Sequence, residues 1–360
     1  MLELKEVGKF VADETHIYPT SLKLEAGRFN TLLGTTLAGK TTLMQLIAGL
    51  EKPSSGEIWF EGKNVTGVAV QKRNISMVYQ QFINYPTMSV FDNIASPLRV
   101  GRLPAAEIKK RVGEMAELLK ISAMLDRRPA ELSGGQQQRT AMARALVKDS
   151  DIVLLDEPLA NLDFKLREEL RDELPRIFAE RNCVVVYATT EPSEALLLGG
   201  YTAALEKGRV ADFGVSGEVY RRPASIISAK VFSEPPMNVA SVTKRGKKVH
   251  LNEHISWTLR KDVLPDGDYK VGIRPHHVTP VKSGKTPVGI TGTVKVAELS
   301  GSESMIHFDA LGHSWISLAH GIHPFEAGSE ASLFFDASNC LYFDAYGKLA
   351  SVGEAGSGAH

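Results

Sequence analysis

The stretch Gly34-Thr35-Thr36-Leu37-Ala38-Gly39-Lys40-Thr41 satisfies the pattern G-x-x-x-x-G-K-[ST]. It follows an apolar, strand-like run over 29–33 and opens a helical run over 42–50, the context a phosphate loop requires. In such a loop, backbone N–H groups and a helix N-terminus cradle the β- and γ-phosphates of a nucleotide. Lys40 would neutralise their charge, and the Thr41 hydroxyl would ligate Mg²⁺. The competing reading, a glycine turn without a ligand, loses weight as the neighbouring motifs are added.

Downstream, Ile152-Val153-Leu154-Leu155-Asp156-Glu157 is a buried-strand run of four aliphatics ending in two carboxylates. Doubly wound sheets present metal and water ligands to a nucleotide from the carboxyl ends of such strands. Asp156 would hold Mg²⁺, directly or through water, and Glu157 would orient or deprotonate the attacking water. A helix-capping acid pair is the bland alternative, but Lys40 and Thr41 already call for acidic partners. A second anion site is readable in Leu132-Ser133-Gly134-Gly135-Gln136, where a serine hydroxyl and glycine amides sit at the start of a helical run over 137–147. One chain needs one γ-phosphate cradle, so a second site points to nucleotide shared between two chains facing head to tail.

The composition agrees. With 360 residues, 43% hydrophobic and 23% charged, the chain is long enough for two or three packed domains and unlike a disordered or fibrous one. Lys+Arg and Asp+Glu balance at 42 each, which removes the broad basic footprint of a nucleic-acid binder. The basic cluster Lys244-Arg245-Gly246-Lys247-Lys248 reads as a solvated hairpin turn. Cys183 and Cys340 fit neither a disulfide framework nor a zinc site. No apolar run reaches a membrane span, and MLELKEVGKF has charges where a signal peptide needs its apolar core, so a cytosolic chain is expected.

Strand-like runs alternate with helical patterns over 1–235, predicting an α/β domain with a mainly helical part at about 87–150. From Pro235-Pro236 the pattern becomes short β-rich pieces over 249–251, 255–259, 269–273, 294–298 and 332–335. Residues 236–350 therefore read as an all-β barrel or sandwich. SVGEAGSGAH, over 351–360, reads as a frayed tail.

Taken in order, GTTLAGKTT (which adds Thr42 to the loop), Gln80 in MVYQQ, LSGGQQQR, LLDEP and Asp163 in LANLD resemble the nucleotide-binding subunit of an ATP-binding cassette (ABC) transporter. The resemblance implies a P-loop NTPase cassette using ATP and Mg²⁺, in which Lys40, Thr41, Gln80, Asp156 and Glu157 form the Walker half of a site. Ser133, Gly134, Gly135 and Gln136 would complete the opposing subunit's site, Gln80 would also touch the metal, and Asp163 would communicate between the two. Phe10 is the nearest match to an aromatic that stacks on adenine. Met237-Asn238, GIRPHHV, VAELSGSESMIHF and FFDASNCLYFD resemble the oligonucleotide-binding-like regulatory domain of carbohydrate and polyol importers. Partners implied are two transmembrane permease subunits, which Phe82 and Tyr85 would help to engage, and, indirectly, a solute-binding protein. The implied location is the cytoplasmic face of the membrane. His276, His277 and His307 could suggest a regulatory or metal site, with a structural role the blander reading.

Two departures from the family pattern stand out. The family's γ-phosphate histidine falls on Thr190, and His16 is the only histidine before His250. A lost transition-state donor typically costs about 10² to 10³ in rate. Leu37 stands where the loop usually has glycine, at a cost on the order of 1–2 kcal/mol if its φ is positive. Both fall on the Walker side while the signature segment is intact. That asymmetry predicts pairing with a distinct second ATPase subunit rather than a homodimer. The rival classes are a soluble ABC ATPase outside transport and a nucleotide-sensing scaffold with little catalysis.

Overall fold

The computed structural model describes residues 1–160, 162–179, 181–259 and 264–353. It divides into two compact units, Met1–Ser216 and Gly217–His360.

The first unit runs β1 (Leu2–Val11), β2 (Glu14–Leu24), β3 (Phe29–Leu33), α1 (Lys40–Ala48), β4 (Ser55–Phe60), β5 (Lys63–Asn64) and β6 (Ile75–Val78). Helices α2 (Val90–Val100), α3 (Ala105–Leu118) and α4 (Gly134–Leu146) follow, then β7 (Ile152–Asp156), α5 (Phe164–Ala179), β8 (Val184–Thr189), α6 (Pro192–Leu198), β9 (Tyr201–Glu206) and β10 (Arg209–Val215). A six-stranded sheet has the order β10-β9-β3-β8-β7-β6, and a four-stranded antiparallel sheet the order β2-β1-β4-β5. β3, β7 and β8 read FNTLL, IVLLD and VVVYAT and are buried at every residue. Runs without polar alternation are what a parallel sheet covered on both faces needs.

One cluster packs Leu43, Met44 and Ile47 of α1 with Leu32, Leu154 and Val186. The other packs α2 to α5 with Phe29, Leu155 and Val185. In α5, Leu166, Leu170, Leu174 and Phe178 are buried at four-residue spacing, a stripe facing the core. Parallel pairing sets Leu33 beside Thr189 and Asp156 beside Ala188, so β3, β7 and β8 end along one edge.

Helix α7 (Ser216–Arg221) begins at the last residue of the first unit, and α8 (Ile226–Val231) follows in the second unit. Its strands are β11 (Asn238–Arg245), β12 (Lys248–His250), β13 (Ser256–Thr258), β14 (Gly267–Ile273), β15 (Val278–Thr279), β16 (Pro287–Leu299), β17 (Glu303–Ala310), β18 (His313–His320), β19 (Glu330–Asp336), β20 (Leu341–Phe343) and β21 (Leu349–Val352). They form two antiparallel sheets, ordered β13-β12-β11-β14-β20-β21 and β15-β19-β16-β17-β18. β17 alternates, burying Ser304, Ile306, Phe308 and Ala310, and the inward faces share a core around Trp257, Trp315 and Phe335. The basic cluster forms the β11–β12 hairpin, with Arg245 opposite Lys248.

The division between units precedes the proline pair because Ala229 of α8 packs with Met237, Leu341 and Phe343 of the β-rich unit. In sequence, the proline pair and the switch of period place the boundary near 235. The expected tail is also shortened. Ser351 and Val352 pair with Tyr342 and Leu341, so strand structure continues past 350, and 354–360 lie outside the described residues.

The His276 and His277 rings stand 4.2 Å apart. Burial, helped by the neighbouring His276 and Arg274, pulls the His277 imidazole down to about 4. An unfolded histidine titrates near about 6.5, so between the two values the unfolded chain binds the extra proton. Stability present at neutral pH is therefore lost as pH falls from about 6.5 through about 4. The thermal midpoint of the full chain should drop across that window, and His277→Asn should flatten the drop. Matching midpoint–pH profiles for the two proteins would count against this titration.

Candidate functional site

The site grows from the β3–α1 turn. Gly39 heads α1 with φ of +104° and supplies no side-chain oxygen, so the first-turn N–H groups of α1 have no side-chain cap. A helix start left this way carries unpaired donors and partial positive charge. Gly34 is required by space, since a Cβ there would lie 2.5 Å from the Leu205 carbonyl oxygen and 2.8 Å from Ala38 Cβ. The Ala38 N–H donates to the Thr35 carbonyl at 3.1 Å and tightens the turn, while Thr35 and Thr36 face solvent and Thr42 is half-buried in the helix.

Lys40 is only 5% exposed. Its Nζ donates to the Gly34 and Thr35 carbonyls at 2.8 and 3.1 Å and lies 3.3 Å from Glu157 Oε1. Thr41 Oγ1 donates to Asp156 Oδ2 at 2.8 Å. Asp156 is 1% exposed. Burial pushes its carboxyl above the usual carboxylate range; the Thr41 hydrogen bond pulls it back, and the charge of Glu157 adds to the rise. A carboxylate kept from water beside a hydroxyl is a hard-oxygen pair suited to a small divalent cation. Lys40 and the uncapped start of α1 suit the phosphates, so this donor set fits Mg²⁺-nucleotide.

Glu157 turns out of β7 with φ of +47°, its N–H donating to the Ala188 carbonyl at 3.0 Å. Its two oxygens face different groups: Lys40 on Oε1 and the Gln80 Nε2 donor, at 3.0 Å, on Oε2. Gln80, Lys40, Thr41, Asp156 and Glu157 are thus joined by direct contacts, although they come from three separate stretches of sequence.

The other sequence-derived residues fall around this centre. Thr190 is exposed one residue beyond β8, whose last residue, Thr189, accepts the Gly34 N–H on its carbonyl at 3.3 Å. Ser133 caps α4 in a reciprocal box, its N–H donating to Gln136 Oε1 at 2.9 Å and its Oγ accepting from the Gln136 N–H. Gly134 and Gly135 form the first turn of that helix. Asp163 Oδ1 accepts the Leu166 N–H at 3.0 Å at the head of α5. Leu37 takes φ of +66° and is 93% exposed.

Phe10 lies in the four-stranded sheet, 42% exposed, with its N–H on Ser54 Oγ. The segment that approaches α1 is instead the start of β2: a Cβ on Gly39 would lie 2.7 Å from Ile17 Cδ1 and 3.5 Å from the His16 carbonyl oxygen. Nothing local in sequence marks the closeness of His16 and Ile17 to Gly39, which depends on how β2 passes the head of α1. Beyond Gln80, the segment around Tyr85 is fastened to α4: Arg144 donates to the Ile83 carbonyl and stacks 4.9 Å from the Tyr85 ring, and Asn84 Nδ2 donates to the Gln137 carbonyl at 2.9 Å. Ile83 and Tyr85 remain largely exposed there.

Residues 17–160 match the ABC transporter family model. Over 368 residues the chain is 35% identical to the trehalose/maltose import ATP-binding protein MalK of Thermococcus litoralis, spanning 95% of this chain and 97% of that one. It is 36% identical over 330 residues to the sn-glycerol-3-phosphate import ATP-binding protein UgpC of Yersinia enterocolitica, spanning 90% and 91%. A dimeric bacterial ABC transporter cassette superposes with a TM-score of 0.56 at 28% identity, over 60% of this chain and 99% of that one.

A left-handed backbone at position 37 is strained for leucine and worse for a β-branched residue. Leu37→Gly should therefore exceed Leu37→Val in urea stability by about 1 kcal/mol or more, after allowing for glycine's looser unfolded state. Equal unfolding midpoints and slopes would mean that the strain does no more than offset glycine's unfolded-state entropy.

Proposed function

The chain belongs to the family of ABC transporter ATP-binding proteins, whose importer members hydrolyse ATP to drive transport, and we propose that it is the ATPase subunit of an importer for a carbohydrate, polyol or glycerol-phosphate-like solute. The observation that carries the ATPase reading is the contact set joining Lys40, Thr41 and Gln80 to the paired carboxylates Asp156 and Glu157. Bound Mg²⁺ would neutralise phosphate charge, with Thr41, Asp156 and Gln80 as the groups that hold it. Lys40 would bind the phosphates together with the N–H groups at the start of α1. Glu157, oriented by Gln80, takes the proton of the attacking water. The solute class comes from the names of the relatives, which are importers of trehalose/maltose and of sn-glycerol-3-phosphate; glycerol is within the proposed range.

Among the described residues no helix is long and apolar enough to cross a membrane. The proposed assembly therefore has two permease subunits supplying the membrane path, with this chain bound at their cytoplasmic face. The exposed Ile83 and Tyr85, fastened to α4 just after Gln80, suit a contact that senses the nucleotide site. A solute-binding protein acts on the far side, and no nucleic acid is involved.

The Walker side of this chain carries two handicaps: a leucine at φ of +66° in the loop, and a threonine at position 190 where the family places a histidine. The signature segment keeps its intact cap. In a pair of identical subunits both composite sites would share the defects, whereas a distinct partner would receive a sound signature from this chain. We therefore propose a heterodimer of ATPases in which this chain's own Walker site turns over slowly. Its weakened site also keeps alive the reading of a sensing scaffold with little catalysis.

Intact-mass measurement of the importer purified from a co-expressed operon should find one copy of this chain beside a different ATPase; two copies would sink the heterodimer. In the same complex, with the partner ATPase silenced at its own catalytic acid, Glu157→Gln should lower the remaining ATP turnover while ATP binding persists. A mutant as active as wild type would favour the scaffold reading. With the partner ATPase silenced in that way, Thr190→His should raise turnover by about tenfold or more if the missing donor limits hydrolysis, and no change would mean that another group fills that role.

A further inference from the structure

Two arginines of α5 reach the residue after Thr190. Arg167 Nη1 donates to Glu191 Oε1 at 3.0 Å, and Arg171 Nη2 donates to Glu191 Oε2 at 3.2 Å. Both oxygens of one carboxylate are thereby used, each by a different turn of the helix. Arg167 extends further, its Nη2 donating to the Ala160 carbonyl at 3.3 Å in the turn between Glu157 and Asp163. The Ala160 N–H in turn donates to the Glu157 carbonyl at 3.3 Å.

On the other side of Thr190 the backbone is held as firmly. Thr189 Oγ1 accepts the Glu191 N–H at 3.0 Å and donates to the buried Glu194 carboxylate at 2.7 Å. Tyr187 donates to that same Glu194 oxygen at 2.8 Å. The Thr189 carbonyl holds the Gly34 N–H, so one run of contacts leads from the phosphate loop, past Thr190, through Glu191 and Arg167 to Ala160 in the turn after Glu157.

α5 buries Leu166, Leu170, Leu174 and Phe178, whereas Arg167 and Arg171 are the neighbours of that stripe. Part-buried ion pairs, here with Arg171 13% and Glu191 33% exposed, need not act through stability alone. A carboxylate that bridges two cations, one of which is fastened to backbone beside Glu157, can also set where that backbone sits. Misplacing a reacting group by about 1 Å can cost on the order of 10² in rate.

We propose that Glu191 is a positioning residue for ATP hydrolysis, holding the segment of Thr190 in register with the turn that carries Glu157 and Asp163 through Arg167 and Arg171. The proposal rests on the ATPase reading above. Its role is distinct from that of Glu157, because Glu191 acts through the placement of other groups.

The test measures kcat and KM for ATP on the full chain in its purified transporter complex, with any distinct partner ATPase silenced at its own catalytic acid so that this chain's Walker site is the one read, for Glu191→Gln, Arg167→Met and the double variant. Each single change should lower kcat about tenfold with KM for ATP within about twofold, and the double variant should lose about as much as either single one. Glu191→Asp, which keeps the charge, should retain more of kcat than Glu191→Gln. Unchanged kcat in the single variants overturns the proposal. So does a double loss near the product of the two, or a loss that tracks only the unfolded fraction seen in thermal melts. A Glu157→Gln control, measured with any distinct partner ATPase silenced at its own catalytic acid, separates the two readings: wild-type activity there defeats the ATPase reading, whereas a normal loss there with an unaffected Glu191→Gln defeats only the positioning role.

Discussion

Register along three parallel strands decides what this site can be. Because Leu33 pairs with Thr189 and Asp156 with Ala188, the ends of β3, β7 and β8 arrive at one edge, each from a wholly buried run. A slip of one residue in either pairing would send Asp156 away from Thr41, because alternate strand residues face opposite sides. The apolar cores on both faces of the sheet enforce that register, so the precision of a few polar contacts is underwritten by burial of aliphatic surface.

The polar centre makes opposite demands. Asp156 is buried, and burial disfavours its charge, yet it is placed to be most useful when charged. The conflict is held in check by the Thr41 hydroxyl and by Lys40, itself nearly buried and shared among two carbonyls and Glu157. Such a set of strained charges is what a site for a highly charged ligand looks like from the protein's side.

The phosphate loop, the two acids at the end of β7 and the capped start of α4 were legible in sequence because each is a short pattern whose geometry is local. The alternation of the second unit was readable for the same reason, and β17 follows it residue by residue. What escaped was set by contacts distant in sequence. α8 belongs with the β-rich unit because Ala229 meets Met237, Leu341 and Phe343. The closeness of His16 and Ile17 to the head of α1 depends on how β2 passes that helix, and the bridging role of Glu191 depends on which face of α5 its arginines occupy. Leu37 was the intermediate case: its unusual residue type was visible, but only the backbone angle showed the strain to be real.

The left-handed turn at Glu157 bears on how such a subunit can drift over generations. At φ of +47° the chain accepts glycine, asparagine or aspartate far more readily than valine, isoleucine or threonine. A lineage that loses hydrolysis at this position is therefore channelled toward small or carboxamide side chains that leave the neighbouring fold intact. Degenerate copies should survive as well-folded proteins, available for selection to retain as silent members of an assembly.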